Sequence, residues 1–188
     1  MMNKTLFSLT LLLVAALHTT LVQAEDLIIP LYVNPETDAA GNCSSEEYIK
    51  VATSAEASHT LAIVNPNDGP DYGSEFATKL AFDECIAYLQ DHGVVVLGYV
   101  QIKSGNPNVP GHRDFDEITT DIDQWSSEYM VDGIFVDELL NRRLGDGWDS
   151  MVFTSFKQEV VNYILDGVFT RAILNPGSIY FEKGTIER

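Results

Sequence analysis

Short apolar segments recur along this chain and alternate with segments of helical periodicity. The apolar runs begin near residues 28, 61, 94, 133 and 172. Between the second and third runs, apolar residues recur every three or four positions, and Gly93 follows them as a C-terminal stop. These residues are Phe76, Leu80, Phe82, Ile86 and Leu89. The alternation of strand and helix predicts an α/β fold with a parallel sheet and right-handed crossovers.

Polar or aromatic groups stand at the end of each apolar run. The strands of a parallel sheet all end at the same edge, so we expect these side chains to converge on one face of the molecule. They are Tyr32, Asn65, Tyr99, Asp137, Glu138 and Asn175. Because α/β proteins bind ligands at the carboxyl ends of their strands, the sequence predicts a functional site there.

Asp137 and Glu138 end the segment at residues 131–138 (VDGIFVDE). One interpretation of this acidic pair is chemistry in the crevice where a buried strand opens. The other is that the two carboxylates cap the next helix or form ion pairs with Arg142 and Arg143. The recurrence of polar groups at the other strand ends favours the first interpretation.

Residues 1–24 have the pattern of a secretory signal peptide. Lys4 lies in a short basic start, an apolar run covers residues 6–17, and residues 22–24 (VQA) form a small-residue cleavage site. Neither this run nor any later segment reaches the ~20 apolar residues of a membrane span. We therefore expect an exported protein without a membrane span, extracellular or, in a Gram-negative host, periplasmic. Residues 25–188 are then one domain.

The formal net charge of −17 restricts the partners of this chain. So acidic a protein is not expected to bind nucleic acid or anionic membrane surfaces. A cationic ligand suits this charge, although a solvated acidic surface accounts for it equally well.

Cys43 and Cys85 are the two cysteines of the chain. In an oxidising compartment they can form one disulfide that ties a polar loop to the helix after the second strand. Two free buried thiols are the alternative.

Several catalytic chemistries lack their essential residues in this sequence. No serine lies in a nucleophile-elbow pattern, and no glycine-rich loop with a lysine follows a strand. His59, His92 and His112 are not at metal-ligand spacing, so we expect no metal site and no cofactor. Carboxylates remain as candidates for acid and base roles, which is the chemistry of glycoside hydrolysis.

Six segments, taken in order, resemble the spherulin-4 (spherulation-specific family 4) proteins. They are residues 27–32 (LIIPLY), 63–70 (IVNPNDGP), 97–100 (LGYV), 121–125 (DIDQW) with Tyr129, 131–138 (VDGIFVDE) and 173–177 (ILNPG). The resemblance implies a (β/α)₈ barrel of the glycoside hydrolase type that acts on galactosamine-containing polysaccharide. It also implies that Asp137 and Glu138 are the catalytic acidic pair, and that Tyr32, Asn65, Tyr99 and Asn175 line the sugar subsite.

The chain departs from the family pattern in two places. The family commonly carries Tyr-Gly and an Arg shortly after the third strand, whereas this chain has residues 101–105 (QIKSG) and reaches its next arginine at Arg113. The family's functional Glu at the end of a sixth strand has no counterpart either. Five strand-helix units fit in a chain of 188 residues, and a complete barrel takes about 250. We therefore expect an incomplete barrel with five of eight units.

Two alternatives stay open from the sequence. Five parallel strands of this length also suit a flavodoxin-like doubly wound sheet. In function, an active hydrolase, an inactive relative and a non-catalytic carbohydrate-binding or wall-associated protein are all compatible with these residues. The binding protein would use Tyr32, Tyr99 and Trp125 as stacking platforms for sugars.

Overall fold

The computed structural model describes residues 27–54, 56–70, 76–102, 113–138, 150–167, 169 and 171–175. Its centre is a five-stranded parallel sheet in which the strands lie side by side in chain order. The strands are β1 (Leu27–Leu31), β2 (Thr60–Val64), β3 (Val95–Gln101), β4 (Gly133–Asp137) and β5 (Ala172–Leu174). The predicted α/β fold with a parallel sheet is confirmed.

Helices connect the strands. They are α1 (Glu46–Ala52), a short 3₁₀ turn (Ala57–His59), α2 (Phe76–Asp91), α3 (Phe115–Gln124) with a π-helical turn (Trp125–Tyr129), and α4 (Ser150–Asp166). The predicted helix before the third strand is α2, and Gly93 follows it with a φ of 84°, a left-handed conformation that suits glycine.

The two faces of the sheet are packed differently. One face holds the main core, in which strand residues such as Val64, Val96 and Val136 pack with buried residues of the helices. On the other face, which we call the inner face, the described buried cluster consists of strand residues alone. These are Leu61, Ile63, Leu97, Tyr99 and Phe135.

The strand order distinguishes between the two folds that the sequence left open. A flavodoxin-like sheet has the strand order 2-1-3-4-5, in which the order of the strands across the sheet reverses between β1 and β3. The observed order runs from β1 to β5 without reversal, so the doubly wound alternative is wrong for the described strands. An unreversed order with helices on one face is the arrangement of consecutive units in a (β/α) barrel.

Gly98 lets Trp125 pack tightly against the sheet. The indole lies directly over Gly98, where any Cβ would collide with the ring. Trp125 is fully buried, and its Nε1 donates a hydrogen bond of 2.9 Å to the carbonyl oxygen of Tyr99. Sequence reasoning offered Trp125 as a sugar-stacking platform. That assignment is wrong, because the ring belongs to the core.

Cys43 and Cys85 form the predicted disulfide, with their Cα atoms 4.9 Å apart. The bond ties the loop before α1 to the buried side of α2. Thr37 and Cys43 also form an antiparallel bridge within that loop. The disulfide prediction is therefore confirmed, and the alternative of two free thiols is wrong.

No helix among the described residues is long and apolar enough to cross a membrane. The predicted signal peptide at residues 1–24 lies outside the described residues, as do Arg142, Arg143, His112 and the Pro-Gly pair after Asn175.

Candidate active site

Strand register brings the predicted site residues to one edge of the inner face. In β2, β3 and β4, side chains alternate between the two faces, and Leu61, Ile63, Leu97 and Phe135 point to the inner face. Continuing that alternation places the strand-end residues on the same face. These residues are Tyr32, Asn65, Tyr99, Asp137 and Asn175.

Asp137 lies on this edge at the end of β4 and accepts three hydrogen bonds from residues that the structure describes. The Tyr99 hydroxyl donates to Oδ2 at 2.7 Å. The Asn175 side-chain amide donates to Oδ1 at 2.8 Å, and the backbone N–H of Glu138 donates to the same oxygen at 2.7 Å. Donors from β3, from the end of β5 and from the chain after β4 therefore fix the orientation of this carboxylate.

Tyr99 connects Asp137 to the aromatic wall of the site. Its ring is edge-on to that of Tyr32, with centroids 5.8 Å apart, and tilted to that of Phe135 at 6.1 Å. Burial raises the pKa of the Tyr99 hydroxyl strongly, and the hydrogen bond to Asp137 raises it further. Tyr99 therefore keeps its proton and acts as a donor to Asp137.

Tyr32 is the most accessible aromatic residue of the site, with half of its surface exposed. Burial of its hydroxyl end raises the pKa of Tyr32, and the charge of Asp137 adds to that effect. The half-exposed ring thus lies close enough to Asp137 for that charge to act on its hydroxyl, and part of its surface is accessible to a ligand.

Glu138 differs from the neighbouring strand-end residues in its backbone. It follows the last residue of β4 and has a φ of 55°, in the left-handed region that a non-glycine residue rarely adopts. Because the strand has ended, the alternation of β4 does not send this side chain to the opposite face. Such conformations carry a cost of about 1–3 kcal/mol and cluster at functional sites.

The side chain of Asn65 binds the loop that follows β2. Its side-chain oxygen accepts a hydrogen bond of 3.2 Å from the backbone N–H of Gly69. The register places Asn65 next to Tyr99, but its described hydrogen bond goes to the loop. Described contacts therefore bring together Tyr32, Tyr99, Asp137 and Asn175. The described contact of Asn65 is to its own loop, on the same face of the sheet.

Asp68 is a site residue that sequence reasoning missed. It lies in the same loop, is exposed, and has a φ of 56°. Its charge contributes to the raised pKa of Tyr99, although burial and Asp137 contribute more. The segment Asn67-Asp68-Gly69 is typical of a turn, and a turn pattern gave no reason to expect a carboxylate whose charge acts on Tyr99.

Arg113, the arginine displaced relative to the family pattern, returns to the end of β3. It donates to the carbonyl oxygen of Gln101 at 3.0 Å and forms an ion pair with Asp121 at 2.7 Å. Arg113 thus fixes the strand end. Among the residues that the structure describes, no three His, Cys, Asp or Glu side chains are grouped as metal ligands.

Two comparisons with known proteins bear on these residues. A comparison with curated proteins found no match. The family model described as spherulation-specific family 4 matches residues 26–183, a range that includes all five strands, the disulfide and every candidate site residue. The chain therefore belongs to spherulation-specific family 4, the spherulin-4 proteins.

Proposed function

We propose that this chain is an exported glycoside hydrolase-like protein that acts on galactosamine-containing polysaccharide. The observation that carries the proposal is the fixed Asp137 carboxylate at the carboxyl edge of a parallel sheet. Catalytic residues of (β/α) barrels occupy this position. The resemblance noted in the sequence supplies the substrate class.

The described strands form the first five units of a (β/α) barrel in this proposal. The unreversed strand order and the placement of the helical core on one face support it. The domain then occupies residues 25–188, after a signal peptide at residues 1–24. The disulfide between Cys43 and Cys85 supports export, because such bonds persist in oxidising compartments.

Asp137 and Glu138 are the proposed catalytic pair. Glycoside hydrolysis requires one carboxyl group that protonates the leaving oxygen and a second that acts as nucleophile or activates water. Three donors hold Asp137 as an acceptor, which suits the second role. Glu138 accepts no hydrogen bond on its side chain among the described contacts. In this proposal it is the group that protonates the leaving oxygen. Tyr32, Asn65, Tyr99 and Asn175 form the surrounding sugar subsite.

A non-catalytic carbohydrate-binding protein is the second candidate function. The specific observation in its favour is Tyr32, whose half-exposed ring stands edge-on to Tyr99. An exposed aromatic ring next to amide and carboxylate groups binds a sugar without any need for turnover.

Incubation of the purified protein with α-linked galactosamine polymer distinguishes the two functions. The appearance of new reducing ends, with none formed from an α-glucan of similar length, is the result expected of a hydrolase. Retention of the protein on the immobilised galactosamine polymer without new reducing ends supports the binding protein. Neither cleavage nor retention would contradict both.

A further inference from the structure

Gln101 is the last residue of β3 and lies beside Asp137. The two residues are partners in the register of β3 and β4. Directly after this pair, the backbone N–H of Ile102 donates to the Asp137 carbonyl oxygen at 3.1 Å. Because neighbouring strands lie about 4.8 Å apart, Gln101 is the cross-strand neighbour of this carboxylate, on the side opposite Asn175.

The side chain of Gln101 points to the inner face of the sheet. Val100 and Ile102, the residues on either side of it, belong to the main core on the opposite face. Tyr99, two positions earlier, belongs to the cluster on the inner face. Since side chains alternate along a strand, Gln101 shares the inner face with Tyr99 and Asp137.

Gln101 is a buried polar residue, with 7% of its surface exposed. Its backbone oxygen accepts a hydrogen bond from Arg113 at 3.0 Å, but none of the residues that the structure describes forms a hydrogen bond with its side-chain amide. No described side-chain nitrogen or oxygen is both fully enclosed and without a partner, so this amide keeps access to the space at the carboxyl edge. A buried polar side chain that lacks a protein partner requires an explanation.

The carboxylate of Asp137 can accept one further hydrogen bond beside this amide. An ionised carboxylate has about four acceptor positions, and Tyr99, Asn175 and the N–H of Glu138 occupy three of them. The amide of Gln101 offers both N–H donors and an acceptor oxygen. A ligand with neighbouring hydroxyl groups matches this arrangement, because one hydroxyl can donate to Asp137 while the next pairs with Gln101.

We infer that Gln101 binds a hydroxyl group of the sugar whose neighbouring group contacts Asp137. The inference rests on the proposed function, since it takes the ligand to be a sugar. It adds to the site a residue from segment 101–105, where this chain departs from the family pattern. Specificity for the sugar then depends on the end of β3 as well as on the residues already described.

Replacement of Gln101 by Met tests this contact, because Met keeps the length of the side chain but removes its donors and acceptor. The probe is methyl α-galactosaminide, titrated into the protein and followed by NMR. The variant should bind the sugar about fivefold more weakly than the parent, the factor expected for one neutral hydrogen bond. Gln101→Ala, which removes the side chain altogether, is the second variant and should show at least the same loss.

Gln158→Met is the matched control for this substitution. Gln158 is exposed on α4, a helix whose buried residues pack into the main core on the opposite face of the sheet. The control should bind the sugar as the parent does. Cooperative urea unfolding of each variant shows that it is folded before its affinity is compared.

Deoxygenated sugars distinguish a direct contact from a structural role of Gln101. The probes are the 3-deoxy, 4-deoxy and 6-deoxy analogues of methyl α-galactosaminide, each titrated into the parent and into Gln101→Met. The fivefold difference between the two proteins should vanish for the one analogue that lacks the hydroxyl bound by Gln101 and should persist for the other two. A merely structural role would weaken the binding of all analogues equally.

The outcomes separate the inference from the proposed function. If the parent binds the sugar and both Gln101 variants bind it equally well, or if the loss is the same for every analogue, the role of Gln101 is wrong while the proposed function stands. If the parent binds none of these sugars, the proposed function fails and the inference fails with it.

Discussion

The Tyr99 hydroxyl donates a hydrogen bond of 2.7 Å to Oδ2 of Asp137, across two neighbouring strands and 38 positions of the chain. The backbone oxygen of Tyr99 is in turn bound by the buried indole of Trp125. The core on one face of the sheet therefore helps to set the position of the tyrosine that orients the carboxylate on the other face.

Replacement of Tyr99 by Phe should weaken the site without disturbing the fold. The variant keeps the ring contacts with Tyr32 and Phe135 but removes one of three donors to Asp137. The loss should be about tenfold in kcat/KM on galactosamine polymer, as for a hydrogen bond to a charged group. Tyr88→Phe, on α2, is the matched control and should leave the rate unchanged. A Tyr99→Phe rate equal to that of the parent would show that this bond does not support the chemistry.

Stability should decline in alkaline solution because of buried tyrosines. Burial raises the pKa of Tyr48, whose hydroxyl donates to the Val33 carbonyl oxygen at 3.2 Å, and the charge of Glu47 raises it further. A raised folded-state pKa gives a contribution that is complete below the unfolded pKa of about 10 and is lost as the pH rises above it.

Urea unfolding at pH 8 and pH 11 measures this contribution. Between the two values, Tyr48→Phe should lose about 1.4 kcal/mol less unfolding free energy than the parent, since it no longer has this proton to release. The comparison within each protein cancels the cost of the missing hydrogen bond at neutral pH. Equal losses in both proteins would mean that Tyr48 does not titrate abnormally.

The disulfide should stabilise the fold substantially. It joins Cys43 and Cys85, 42 positions apart, and a cross-link of this span restricts the unfolded chain by about 2–4 kcal/mol. Replacement of both cysteines by Ala, which leaves no single thiol to react, should reduce the unfolding free energy in urea by that amount. The addition of reductant should then destabilise the parent and leave the double variant unaffected. A double variant as stable as the parent would assign the bond no role in stability.

Glu138→Gly should separate stability from function. Glycine adopts the observed φ of 55° without strain, so its unfolding free energy should equal that of the parent or exceed it by about 1 kcal/mol. Hydrolysis should nevertheless fall, because the proposed proton donor is gone. Glu138→Gln retains the strained backbone and should lose activity with no gain in stability. If Glu138→Gly is active, the acid role of Glu138 is wrong.

Much of the fold follows from the sequence, because short apolar runs, which form strands of three to seven residues between amphipathic segments, allow few arrangements other than a parallel sheet. The direction of parallel strands also predicts that Tyr99, Asp137 and Asn175 meet, since side chains at strand ends share an edge. The disulfide could be predicted as well, because the sequence contains a single pair of cysteines and residues 1–24 have the pattern of a signal peptide.

Other features depend on packing that no local pattern encodes. The sequence offered Trp125 as a stacking residue for sugars, because nothing local shows that the ring packs over the small Gly98 on β3. The alternation of side chains along a strand does not extend to Glu138, because β4 ends one residue earlier. Asp68 lies in a turn sequence. Its charge acts on the hydroxyl of Tyr99 only because β2 and β3 pair in the folded protein.

The rate of cleavage of α-linked galactosamine polymer by Asp137→Asn, compared with the parent and with Asp91→Asn, tests the central claim most directly. Asn keeps the shape of the side chain but removes the charge that the three donors hold in place. We expect a loss of about 10²–10⁴-fold for Asp137→Asn, as for a positioned acid or base, and none for Asp91→Asn. Cleavage by Asp137→Asn at the parental rate would contradict the assignment of this carboxylate as the centre of the site.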